Sequence, residues 1–266
     1  MGAAGRLDDN SAFGTQASWR VGITAGRLGG LVIHGQVGRA FKAPTFSELH
    51  ARSPFEVGNP GLRPEEATSW EAGVRQHVLD GRVRLSASGF SQRFENLIQY
   101  ASAAPGAPTY ANVGIATSRG LEAGVEMVVG PALSLSSSGT RLWTRVRENG
   151  GSGSAALALD RPLVRRPGTT GAAAVHWAPS RSTAIRVGVH YLGEREDIDY
   201  RDFPAVRVRL AARSLVDLAA RTALPGLPAG FELTVRVENL LDTGWQQALG
   251  FPGQGRLLHL GIRSGS

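Results

Sequence analysis

The sequence predicts an all-β chain whose strands run up and down as an antiparallel transmembrane β-barrel. Three observations predict it. Apolar and polar residues alternate over segments of about ten residues or more, longer than the ~5–6 residues usual in globular sheets. The connections between these segments alternate between short and long. No apolar run approaches the ~18 residues of a spanning helix, which excludes a helical membrane protein and leaves a barrel open. Composition agrees: the 266 residues hold 35 glycines, and only 19% are charged, below the ~25% usual in soluble domains.

About eleven strands are expected, with ends uncertain by ~2–4 residues. They lie near 15–26, 31–40, 68–78, 82–93, 111–129, 132–146, 168–178, 181–193, 212–223, 230–240 and 255–264. Residues 1–14 have no place among them and read as a leader or disordered start, without the apolar core of a signal peptide. The third strand follows a stretch, GNPGLRP, whose glycines and prolines break any helix; in it Trp70, Ala72 and Val74 alternate with Ser69, Glu71, Gly73 and Arg75. In the fifth, Leu121, Ala123, Val125, Met127 and Val129 oppose Gly120, Glu122, Gly124 and Glu126. In the eighth, Ile185, Val187, Val189 and Tyr191 oppose Arg186, Gly188 and His190. The tenth sets Leu233, Val235 and Val237 against Glu232, Thr234, Arg236 and Glu238, and the last sets Leu258, Leu260 and Ile262 against His259, Gly261 and Arg263.

Short turns are expected at Leu28–Gly30, Leu79–Gly81, Gly130–Ala132, Pro179–Ser180 and Pro225–Gly230, and long loops at 41–67, 94–110, 147–167, 194–211 and 241–254. In an up-and-down sheet alternate connections emerge at opposite ends, so one end is trimmed and the other carries every large loop, as in outer-membrane barrels. A soluble sandwich would alternate too, but nothing would gather five long loops at one end. Eleven is odd. An odd number cannot close an all-antiparallel barrel, because the first and last strands would meet parallel. The chain is therefore expected to be part of a larger barrel, or to hold one strand more.

The chemistry is sparse. Without cysteine there is no disulfide scaffold, thiolate metal site or cysteine nucleophile. Net charge is +7, almost all from arginine. The arginines fall on alternate strand positions and form no patch in the sequence, so a polar surface is favoured over nucleic-acid binding. Glu194, Glu196, Asp197, Asp199 and Asp202 crowd one loop, yet lack the glycine and terminal glutamate of a calcium loop and are interleaved with Arg195 and Arg201; they read as a solvated loop. The histidines at 34, 50, 77, 176, 190 and 259 show no metal spacing, and His77, His190 and His259 fall on the polar side of their strands. No GxSxG is present, and GGSGSA at 150–155 lacks the lysine of a phosphate loop. Trp70, Trp143, Trp177, Tyr191 and Trp245 suit either interfacial anchoring or ordinary strand packing.

Six segments, in order, carry a resemblance: GRAFKAPTFSELHA at 38–51, GNPGLRPEEATSWEAGVR at 58–75, ENLIQY at 95–100, YANVGIATSRGLEAGVE at 110–126, RPLVRRPG at 161–168 and VENLLDTGWQQALGFPGQGRLLHLGIR at 237–263. From about residue 15 onward the chain resembles the C-terminal half of the barrel of TonB-dependent outer-membrane receptors, most of all the cobalamin-receptor branch. The positions that carry the family motif are Arg39, Phe41, Pro44, Asn59, Pro60, Pro64, Glu65, Trp70, Glu71, Gly73, Asn112, Gly114, Arg119, Gly120, Glu122, Asn239, Leu240 and Asp242; their expected role is structural. Ligand contacts are expected from the five long loops.

The resemblance implies location in the outer membrane and active uptake of a scarce small molecule or metal chelate, such as cobalamin or a siderophore. It implies no catalysis, no bound cofactor or metal and no nucleic-acid partner. Contact with lipid is expected, and contact with the TonB complex only through a plug domain, which these residues do not contain. Family barrels have about twenty-two strands, of which eleven is half. The ending Arg263-Ser264-Gly265-Ser266 departs from the aromatic last residue usual in the family. Alternatives are a small autonomous pore or membrane enzyme, or a gene fragment without function.

Overall fold

The computed structural model describes every residue except 54–55, 101–106, 152, 202–203, 225–230 and 265–266, and of 27–28 only the backbone. Along the chain run β1 (Gly2–Asn10), β2 (Gly14–Leu28), β3 (Leu31–Lys42), the short helix α1 (Phe46–His50), β4 (Glu65–Val78) and β5 (Val83–Glu95). Then come the pair β6 (Ile98–Tyr100) and β7 (Tyr110–Asn112), followed by β8 (Ile115–Gly130), β9 (Leu133–Glu148), β10 (Thr169–Trp177) and β11 (Ala184–Leu192). The pair β12 (Arg195–Asp199) and β13 (Val206–Leu210) precedes β14 (Arg213–Ala223) and β15 (Phe231–Glu238). The pair β16 (Gln246–Ala248) and β17 (Phe251–Pro252) precedes β18 (Leu257–Ser264).

Twelve of these strands form one sheet in the order β1-β2-β3-β4-β5-β8-β9-β10-β11-β14-β15-β18, each pairing with its sequence neighbour within the sheet. The paired registers are antiparallel. The remaining strands make three separate hairpins inside the long connections. The sheet is open: β1 and β18 are its two edges.

Alternation along each strand becomes two faces of the sheet, because directly opposed residues share a face. Val37, Trp70, Ser91, Arg119 and Trp143 stand opposite one another across five consecutive strands. On the same face Val175 meets Val187, Val187 meets Leu218, Leu218 meets Val237, and Val235 meets Leu260. This apolar face has no second layer against it among the described residues: Ile33 is 50% exposed, Leu260 68% and Ile262 70%. A soluble sandwich would bury those side chains. The opposite face carries polar groups such as Glu71, which meets His34 Nε2 at 3.3 Å, and Arg84, which donates to Glu126 at 2.9 Å.

The trimmed end is turned by residues that tolerate positive φ. Gly29 and Gly30 sit at φ 60° and 81° between β2 and β3, as a two-residue hairpin turn requires. The small buried core lies at the other end, under the loops, where Leu49, Leu62 and Ile98 form one cluster and Val113, Val146 and Leu157 another.

Three expectations change. Residues 1–14 are not a leader: residues 2–10 form β1, paired along its length from Gly2 opposite Gly22 to Asn10 opposite Gly14. Its Ala3, Gly5 and Leu7 alternate too weakly to register as a strand in sequence. The sheet therefore has twelve strands rather than eleven. The expected strand 111–129 is two elements, because Gly114 at φ 63° breaks the ladder between β7 and β8. The expected turn at 225–230 lies outside the described residues.

Candidate ligand-binding loops

Two groups of long connections knit together at the loop-bearing end. In the first, the β3–β4 connection packs on the β6–β7 hairpin. Pro44 is buried ahead of α1. Thr45 then caps the helix: the Glu48 amide donates to Thr45 Oγ1 at 3.2 Å, and the Thr45 amide donates to Glu48 Oε2 at 2.7 Å. Asn59 Nδ2 donates to the Tyr110 carbonyl at 2.9 Å, and Asn59 Oδ1 accepts from the Gly61 amide at 3.0 Å. Pro60 is exposed beside it, and Pro64 is buried at the head of β4. Asn112 bridges three segments: its Nδ2 donates to the carbonyls of Arg63 at 2.8 Å and Asn96 at 2.7 Å, while its Oδ1 accepts from the Arg63 amide at 2.8 Å. Glu65 accepts from the Ile98 amide at 2.7 Å and pairs with Lys42 at 3.2 Å. Burial, and then the neighbouring Glu56 carboxylate to which its hydroxyl donates, push the Tyr110 phenol upward.

The second group joins the β9–β10 connection, the β12–β13 hairpin and the β16–β17 hairpin. Its pivot is Asp197, fully buried. One carboxylate oxygen accepts from Arg165 Nε at 2.7 Å and the Ile198 amide at 2.8 Å; the other accepts from the Leu249 amide at 2.8 Å. Burial alone would raise its pKa, but the hydrogen bonds from Leu249, Arg165 and Ile198 hold it below the ordinary value. Arg207 donates to the carbonyls of Ala155 at 2.7 Å, Ala156 at 3.0 Å and Pro162 at 3.0 Å, and pairs with Glu196. Arg195 reaches the carbonyls of Gln246 and Gln247, while its second terminal nitrogen is buried without a partner. The Arg213 guanidinium lies 3.3 Å from the centre of the Trp245 ring.

The closing motif anchors this group to the sheet. Asn239 sits at φ 49°; its amide nitrogen donates to the Thr243 carbonyl at 3.0 Å, and its oxygen accepts from the Thr243 amide at 2.9 Å. The Leu240 amide donates to the Val216 carbonyl at 2.7 Å, and Asp242 accepts from the Arg256 amide at 2.8 Å. The remaining motif positions lie on the sheet. Arg39 pairs with Glu66, and Phe41 stacks obliquely on Phe13 at 6.2 Å. Trp70 points from the apolar face and Glu71 from the polar one. A Cβ on Gly73 would meet the His34 ring at 2.6 Å, and one on Gly120 would meet Phe90 at 2.5 Å. Glu122 lies exposed on the polar face, while Arg119 stands on the apolar face near the loops.

Two sequence expectations are corrected. The carboxylates at 194–202 are not a solvated loop: Arg195–Asp199 is a strand, and each described carboxylate is held by arginine, Glu194 by Arg209, Glu196 by Arg161 and Arg207, Asp197 by Arg165 and Asp199 by Arg201; Asp202 lies outside the described residues. Arg195 goes to backbone carbonyls instead. Second, arginines do gather. Lining one cavity of about 440 Å³, with Asp160, Glu194, Glu196, Arg195 and Arg209 among its other charged residues, are Arg119, Arg141, Arg145, Arg147 and Arg166. They come from two paired strands and a loop, so linear order hides the cluster. Trp70, Trp143, Trp177 and Tyr191 project from the apolar face, Trp177 and Tyr191 at strand ends and Trp70 and Trp143 within their strands, whereas Trp245 belongs to the loop group. His77, His190 and His259 take the polar face. Sequence reasoning took Asp197 for a solvated carboxylate and missed Arg165 and Arg207; the run RPLVRRPG was the available signal for Arg165.

The chain is 27% identical to the vitamin B12 transporter BtuB of Vibrio cholerae over 97% of its own length and 38% of that protein's. It thus spans 38% of the length of the curated relative it matches. Its fold is similar to that of the siderophore receptor PirA from Acinetobacter baumannii, with a TM-score of 0.75, 16% identity and coverage of 98% of this chain and 42% of that one. It is likewise similar to the ferripyoverdine receptor of Pseudomonas aeruginosa, with a TM-score of 0.73, 18% identity and coverage of 98% and 35%. The model of the TonB dependent receptor-like β-barrel matches residues 2–240. With the single-layer sheet, its bare apolar face and its loops at one end, that match places the chain: it belongs to the TonB-dependent receptor β-barrel family.

Proposed function

We propose that this chain supplies barrel wall and external loops to an outer-membrane receptor that imports a scarce ligand, cobalamin or a ferric siderophore. The observation that carries the reading is the pair of knit loop groups standing over one end of a sheet whose other end is trimmed. Loops pinned by Asn59, Asn112, Asp197 and Asn239 are pre-shaped, and a pre-shaped surface loses less conformational entropy on binding. The motif residues Asn59, Asn112 and Asn239 act as pins alongside Asp197, and ligand contact falls to side chains at the loop tips. The two free sheet edges support a wall completed by further strands, since unpaired backbone groups are untenable in lipid. Energy reaches such a receptor through a plug and the TonB complex, and no step here is chemical.

The test is uptake. Cells deleted for the complete gene are given labelled cobalamin and labelled ferric siderophores at limiting concentration. Loss of uptake of one of them, restored by the gene, is the expected result. Unchanged uptake of all of them, with the protein present in wild-type outer membranes, would overturn the reading.

A further inference from the structure

The arginine cluster at the loop-bearing rim has a feature that uptake does not use: it faces the wrong way for the lumen. Arg119 lies opposite Trp143, and Leu121 opposite Arg141. Arg119, Arg141, Arg145 and Arg147 therefore share the face of Leu121, Val125 and Leu135, the face that meets lipid. Arg119 lies level with Trp143, Arg145 and Arg147 lie beyond it toward the loops, and Arg141 lies one side-chain step inside it opposite Leu121, its guanidinium 5.6 Å from the Trp143 ring centre.

Charge balance distinguishes this spot from the rest of the rim. Elsewhere on the same face arginine is neutralised, Arg39 by Glu66 and Arg93 by Glu95 at 2.7 Å. Within the cluster Arg145 faces Asp160 at 3.5 Å. Arg119, Arg141, Arg147 and Arg166 have no carboxylate partner among the described residues. Two are steadied by hydroxyls: Arg141 donates to Thr169 Oγ1 at 2.6 Å, and Arg147 to Thr117 Oγ1 at 3.4 Å. Each hydroxyl occupies one donor and leaves the others of the fork open. The Glu194–Glu196 stretch and residues 160–168 wall the cavity of about 440 Å³ from the loop side.

We propose that Arg119, Arg141, Arg147 and Arg166 bind the phosphates of a glycolipid headgroup of the outer leaflet. Guanidinium forks match phosphate oxygens in two-pronged, charge-assisted pairs. A free anion would satisfy the same forks. The lipid is the occupant because the cavity opens on the apolar face, where its acyl chains would lie along Leu121, Val125 and the exposed side of Trp143. Such a clamp fixes the height of the barrel in the membrane and braces the second loop group. The site requires a barrel in the outer membrane and is indifferent to what the receptor imports.

The test uses the receptor made from its complete gene, extracted from outer membranes in mild detergent, with lipid A as the probe. Bound lipid A is measured by native mass spectrometry after reconstitution into phosphatidylcholine vesicles with and without it. The wild type retains lipid A. The variant Arg119→Gln/Arg141→Gln/Arg147→Gln/Arg166→Gln loses retention by on the order of tenfold. Arg20→Gln/Arg75→Gln, on the polar face, keeps it. Should the fourfold variant fail to fold, as judged by heat-modifiable mobility, Arg119→Gln/Arg166→Gln gives the same direction with a smaller loss. Equal retention by wild type and a folded variant, equal loss from the polar-face control, or binding of inorganic phosphate as tight as that of lipid A would each overturn the proposal.

Discussion

Gly114 separates the hairpin that reaches into the loops from the strand that enters the sheet. Its φ of 63° is disfavoured for side-chain-bearing residues, and a Cβ there would lie 1.6 Å from the Glu148 carbonyl oxygen. Neither obstacle can be relieved by a rotamer, since the clash is with backbone. Gly114→Ala is therefore expected to cost more than about 2 kcal/mol and to loosen the 96–114 segment before the sheet. Limited proteolysis of folded receptor would show new cuts in that segment; wild-type resistance would refute the account. Asn112, two residues earlier, was legible in sequence as part of YANVG but not its two partners, because Arg63 and Asn96 lie far from it along the chain.

At the scale of elements, the β12–β13 hairpin shows how charge sets loop shape. Arg201 holds the Asp199 carboxyl down at about 2, against an ordinary 3.8, and Asp197 is also depressed. A depressed folded-state pKa contributes stability that is fully present above the unfolded value and is lost as pH falls through the folded one. The Arg201–Asp199 pair is thus expected to persist from neutral pH to about 4 and to be lost as pH falls through about 2, and the second loop group, pinned by Asp197, to open only as acid passes below the ordinary carboxylate value. Amide exchange at Leu249, whose N–H donates to Asp197, reports the opening. A midpoint above pH 5 would show that other groups govern it. The sequence displayed every one of these charges and set Arg201 two residues from Asp199; it could not display the pairing of Asp197 with Arg165 and the Leu249 amide, which depends on three separate connections meeting in space.

For the whole molecule, the decisive features are the bare apolar face and the two free edges. An edge strand in water is an aggregation template, and in lipid it leaves backbone groups unpaired. These 266 residues by themselves are expected to give no heat-modifiable, protease-resistant monomer in detergent, and to give one when refolded together with the remaining strands of a family barrel. A closed, resistant monomer from these residues alone would show that β1 and β18 can meet. Twelve strands, an even number, make that outcome topologically possible; the open sheet argues against it.

The sequence by itself determined the class of fold, the two faces of the sheet, the trimmed and looped ends, and the family, because alternation and turn chemistry are local and repeat along the chain. β1 escaped it because Ala3, Gly5 and Leu7 carry too little contrast with their neighbours to mark a period of two. Only the tertiary structure decided which loops hold one another, that Asp197 is a buried pivot, and that arginines from β8, β9 and the loop beyond them converge on one cavity. Those are questions of register and of contact between distant segments, and register is fixed by the pairing of strands rather than by any stretch of residues alone.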